Sequence, residues 1–66
     1  MTPTQMGRRL QQLREARDLS RQELAERADI SREYLRRLEA GRQDPTVGTL
    51  QRLAKALGVK VTRLLA

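Results

Sequence analysis

Residues 20–41 read SRQELAERADISREYLRRLEAG, and two helix starts and one turn can be marked on them. Ser20 and Glu23 have the spacing of a capping box, in which each side chain accepts a hydrogen bond from the other residue's backbone N–H. Leu19 is placed to staple that helix start. Leu24, Ala25 and Ala28 give the short helix, about residues 20–28, one buried face. Asp29 follows where a chain turning sharply between helices needs a left-handed residue; Gly is preferred there and Asp tolerates it. Ile30 points back towards a core. Ser31 caps a second helix of about residues 32–40, and Gly41 closes it.

At about 100° per residue, the second helix divides cleanly. Arg32, Arg36, Glu33 and Arg37 form one continuous charged arc, and Tyr34, Leu38 and Leu35 form the apolar arc. Glu39 lies at the edge of the apolar arc, where a carboxylate needs a partner. The charged arc has two readings. As a solvated face, it would hold Glu33 and Arg37 in an i,i+4 ion pair. As a reading head, its arginines would fork onto guanine and its glutamate would accept from cytosine. The small Ala25, the turn at Asp29 and the buried Leu35 and Leu38 have the spacing of a helix-turn-helix, whose second helix enters the major groove of DNA.

Outward from this pair the pattern stays helical. A first helix of about Thr4 to Arg17 carries Met6, Leu10 and Leu13 on one stripe, with Thr2 or Thr4 as its cap and Asp18 as its close. Arg8, Arg9 and Arg17 read as solvated. After Gly41, Thr46 caps a fourth helix of about Val47 to Leu57, with Val47, Leu50, Leu53, Ala54 and Leu57 inward and Gly58 beyond its end. A stub from Val61 to about Leu65 completes an all-α set of five. The chain of 66 residues is expected to be one domain, residues 1–66.

Composition narrows the function. There is no His and no Cys among the 66 residues, which removes the usual nucleophiles, proton shuttles and soft metal ligands. No Gly-rich phosphate loop is present, so neither an enzyme nor a cofactor or small-molecule site is expected. No apolar run approaches the roughly 18 residues of a membrane helix. The charge is +6, and twelve of the 14 bases are Arg, whose planar fork grips phosphate and guanine. All eight acids fall in residues 1–44, while residues 45–66 carry Arg52, Lys55, Lys60 and Arg63 alone. A polyanion partner fits this balance.

The segments RRLQQLREARDLS, QELAERA, ISREYLRRLEAGRQDPT and LQRLAKALGV together resemble the Cro and phage-repressor (XRE-type) helix-turn-helix family, over about Met6 to Leu65. The resemblance implies a compact five-helix bundle of the lambda-repressor-like type. It implies binding to double-stranded operator DNA as a homodimer on a two-fold site, in a bacterial or phage cytoplasm and on the nucleoid when bound. Carried onto this chain, it assigns base contacts to Arg32, Glu33 and Arg37, with Arg36 next. Backbone contacts fall to Arg21 and the Gly41–Thr46 loop, here Arg42, Gln43 and Thr46, with Ser31 and the Tyr34 hydroxyl beside them. Arg14 is expected to pair with Glu39. Val61, Leu64 and Leu65 are expected in the core or at the dimer seam. The chain departs from the family in Arg21, where Gln is common, and in Asp29, where Gly is. Two other roles share the fold: an antitoxin, for which the sequence offers no toxin-wrapping tail, and a protein-interaction module whose basic face meets an acidic partner.

Overall fold

Thr2, Ser20, Ser31 and Thr46 each accept a hydrogen bond from the backbone N–H three residues on, at 3.0–3.1 Å, and each starts a helix. The computed structural model describes residues 2–65; Met1 and Ala66 of the expected domain lie outside the described residues. The helices are α1 (Pro3–Ala16), α2 (Arg21–Ala28), α3 (Arg32–Glu39), α4 (Val47–Leu57) and α5 (Val61–Leu65), and no strand occurs among the described residues. Thr2 is the cap of α1, and the helix starts one residue earlier than the stripe alone suggests. Gln5 completes a second capping box by accepting from the Thr2 N–H at 2.9 Å. In α2 the Ser20 N–H donates to Glu23 at 2.9 Å. That bond holds the Glu23 carboxyl below the ordinary glutamate range.

Four helix ends repeat one device. Asp18, Asp29, Gly41 and Gly58 are left-handed, with φ of 54°, 57°, 75° and 71°. The next residue's N–H then reaches back five positions: Leu19 to Arg14, Ile30 to Ala25, Arg42 to Arg37 and Val59 to Ala54, at 2.9–3.2 Å. This is the Schellman closure, and it satisfies carbonyls that a helix end leaves open. Asp29 bears two costs. A Cβ at φ of 57° is strained by about 1 kcal/mol, and its carboxylate sits at the negative end of the α2 dipole. Asp29→Gly is therefore expected to stabilise the fold by about 0.5–1 kcal/mol, after the added freedom of the unfolded chain is subtracted. A thermal melt should shift up by about 2–8 °C, and an unchanged or lower midpoint would contradict it.

The core is leucine. Leu10, Leu24, Leu35, Leu38, Leu53, Leu57 and Leu64 are fully buried, and Ile30, Tyr34 and Val61 pack on their rim. α2 lies against both α3 and α4, while α1 packs on α3 and α5. Gly7 permits the α1–α3 crossing, because an added Cβ would stand 2.5 Å from the Leu38 carbonyl oxygen.

Two sequence expectations need correction and a third is narrowed. Val47 is 70% exposed and not inward. It opens α4 beyond the packed segment, and the buried side chain of that first turn is Thr49, whose hydroxyl accepts from Thr46 at 3.0 Å. Leu64, expected in the core or at the dimer seam, is fully buried within this chain, which selects the core and removes it from the seam. Arg9, read as solvated, is half-buried and donates to the Arg63 carbonyl at 3.2 Å, tying α1 to α5.

Candidate nucleic-acid interface

The exposed arc of α3 has internal order. Its inner face is fixed by Leu35 and Leu38, both fully buried. On the outside, Arg36 clasps Glu33 through two bonds: Nε to Oε2 at 3.0 Å and Nη2 to Oε1 at 2.6 Å. The expected Glu33–Arg37 pair is only a distant second, with Nη1 at 3.9 Å. The cause lies in the surroundings of Arg37. Its Nε donates to Gln43 at 3.4 Å, and its guanidinium stands 5.8 Å from the centre of the Tyr34 ring. Arg37 is thereby braced by the loop after α3 and by its own helix. Hydrogen bonds from Arg36 hold the Glu33 carboxyl below the ordinary glutamate range, helped by the charges of Arg36, Arg37 and Arg32. The same bonds push the Arg36 guanidinium up.

Behind the arc lies a buried charge cluster. Glu39 receives Arg14 through Nε at 2.7 Å and Nη2 at 3.2 Å, and Arg21 through Nε at 2.8 Å. The third donor of Arg14, Nη1, satisfies the Leu19 carbonyl at 2.9 Å. Arg14 and Glu39 are each 7% exposed. The Glu39 bonds push the Arg14 guanidinium up, against the opposing effect of burial. Three helices therefore meet on one carboxylate. The Arg21 link was not legible in the sequence, since nothing local connects positions 21 and 39. It orients Arg21 by its Nε and leaves both Nη groups without an intramolecular bond among the described residues.

Arg21, Arg32, Glu33 and Arg36 line one concave surface together with Ser20, between the starts of α2 and α3. Arg37, Tyr34 and Gln43 form a second group at the other end of the arc. Ser31 and Thr46 are exposed, and both hydroxyls are engaged as helix caps. Arg42 is exposed in the loop and takes part in no ion pair among the described residues. Away from α3, Leu65 is 48% exposed and lines an apolar groove with Pro3, Pro45 and Leu50. Val61 is half-buried.

Known proteins share this fold. A helix-turn-helix family profile matches residues 10–64. The immunity repressor protein of Bacillus phage phi105 is 39% identical over 59 residues, 89% of this chain and 41% of that one. The chain thus spans about two fifths of the phage protein's length. The HTH-type transcriptional regulator y4dJ of Sinorhizobium fredii is 42% identical over 59 residues, 89% of this chain and 77% of that one. Among solved structures, the restriction-modification controller protein C.AhdI of Aeromonas hydrophila superposes with a TM-score of 0.93 at 31% identity, over 94% of both chains. The biofilm master regulator SinR in complex with DNA superposes with a TM-score of 0.88 at 34% identity, over 92% of this chain and 98% of that one. With its capped α2, left-handed turn at Asp29 and buried face on α3, the chain belongs to the XRE-type helix-turn-helix family.

Proposed function

We propose that this protein is a sequence-specific double-stranded DNA-binding transcriptional regulator, a repressor, that lays α3 in the major groove. One observation carries the reading: a continuous charged arc, Arg32, Glu33, Arg36 and Arg37, stands outward on a helix locked by fully buried leucines. Such side chains reach base edges, and a rigid base keeps them in register. Phosphates are met by Arg21, Ser31, Tyr34, Arg42, Gln43 and Thr46, which set position without reading sequence. The Nη groups left free on Arg21 suit a phosphate. Residues 1–66 act as one DNA-binding domain.

A single module of this kind covers about 600–1,000 Å² on DNA. That is thin for useful specificity, so the protein works as a homodimer on a two-fold operator, with half-sites about 34 Å apart. The exposed Leu65 and half-buried Val61 are the seam residues left after Leu64 is assigned to the core. No helix among the described residues is long and apolar enough to cross a membrane, and the protein acts on the nucleoid in the cytoplasm.

In vitro selection of bound duplex tests this directly. A two-fold repeat in the selected site is the expected result, and no binding to any duplex at low salt would overturn the reading. On that site, Arg37→Ala is expected to lose about 1–3 kcal/mol and to relax preference at one position. A uniform loss across all sequences would make Arg37 a phosphate contact.

A further inference from the structure

The Glu33–Arg36 clasp does more than hold two side chains. It uses Nε and one Nη2 hydrogen of Arg36, and one lone pair on each Glu33 oxygen. The Nη1–Nη2 edge of the guanidinium can still donate twice and the carboxylate can still accept, side by side on an exposed surface. A G·C pair shows the major groove two acceptors on guanine and then a donor on cytosine. An A·T pair places its donor between two acceptors. The clasp is complementary to the first pattern and not to the second. Glu33 is also the one acid on the exposed arc, among three arginines.

We propose that Glu33 is a specificity-determining residue of α3, forming with Arg36 one donor–acceptor unit that reads a G·C pair and disfavours random duplex. The inference rests on the DNA-binding reading above. On random duplex the carboxylate mostly faces base acceptors and phosphate, which repel it. It also holds Arg36 away from phosphate. On the matched pair, the cytosine amino group meets the carboxylate and the penalty disappears. The lowered Glu33 carboxyl keeps this unit charged across the neutral range. Arg21 and Arg42, read above as phosphate contacts, supply attraction on any sequence.

The test compares the intact protein with Glu33→Gln and Arg36→Gln. Both positions are exposed, with side chains 59% and 55% accessible, so the fold is expected to persist in each. Affinity for a random duplex is measured from about 50 to 200 mM salt. Affinity for the selected operator is measured with each base pair changed in turn. Glu33→Gln should bind random duplex about threefold tighter or more at low salt, with a slope steeper by about 0.9 as Arg36 reaches a phosphate. It should lose about tenfold preference at one G·C position. Arg36→Gln should weaken random binding and lose preference at the same position. Random binding of Glu33→Gln no tighter than wild type would overturn the proposal, as would preferences lost at two different positions. Wild-type protein that binds no duplex overturns the DNA-binding reading as well, so the two failures are told apart by the unmutated protein.

Discussion

Replacing Glu39 with alanine is expected to cost about 3–5 kcal/mol of folding stability. For a domain of this size that is much of the total, since about 0.05–0.15 kcal/mol per residue is usual. The loss comes less from the attraction removed than from the charge left behind. A buried ion pair roughly breaks even against an apolar replacement, whereas breaking one strands its partner. Here the stranded group is Arg14, 7% exposed and held by three hydrogen bonds, of which two end on Glu39. Arg21 is different. Its side chain is 42% accessible, so water can take it back, and Arg21→Ala should cost at most about 1 kcal/mol. A double change, Arg14→Met with Glu39→Leu, should recover much of the single loss. Recovery would be partial, because the Leu19 carbonyl also loses its donor. Chemical denaturation of the three variants checks the ranking. A Glu39→Ala protein as stable as Arg21→Ala would show that the cluster is solvated in solution.

The parts of this fold that depend on neighbours in sequence were legible. Capping boxes, left-handed closures and the leucine stripes are set within four or five residues, so Ser20, Ser31, Asp29 and Gly41 announce their roles. The charged arc of α3 follows from helical spacing alone. Selections made between elements were not legible. Both Arg36 and Arg37 lie within reach of Glu33, and what separates them is Gln43 and the Tyr34 ring, which draw Arg37 away. Arg21 reads as a surface residue at the start of a helix until α3 brings Glu39 beside it. Val47 continues the stripe of α4, yet it lies beyond the packed segment and stays in water. Each case turns on what the folded chain brings beside a residue, and hydrophobic period carries no information about that.

Gly7→Ala is expected to destabilise the fold by about 2 kcal/mol net. By helix propensity alone the change should help, since Gly costs about 0.8–1 kcal/mol more than Ala inside a helix. Packing opposes it. A Cβ built on Gly7 would stand 2.5 Å from the Leu38 carbonyl oxygen and 2.6 Å from that of Glu39. Both are backbone atoms, so no rotamer change can relieve the clash, and α1 must move away from the end of α3. Overpacking of this kind costs about 3 kcal/mol at the upper end of its usual range. The displaced end of α3 carries Glu39, so the shift also works against the buried charge cluster, and the melting midpoint should fall by about 8–16 °C. Gly48→Ala provides the matched control. It makes the same chemical change in another helix, α4, where the nearest atom to an added Cβ is the Thr46 Oγ1 at 3.9 Å, an ordinary contact. That variant should gain up to about 1 kcal/mol from propensity. Opposite signs for the two substitutions would isolate the α1–α3 contact from any general effect of glycine, and a Gly7→Ala protein that melts at or above the wild-type temperature would mean that the helices do not approach so closely in solution.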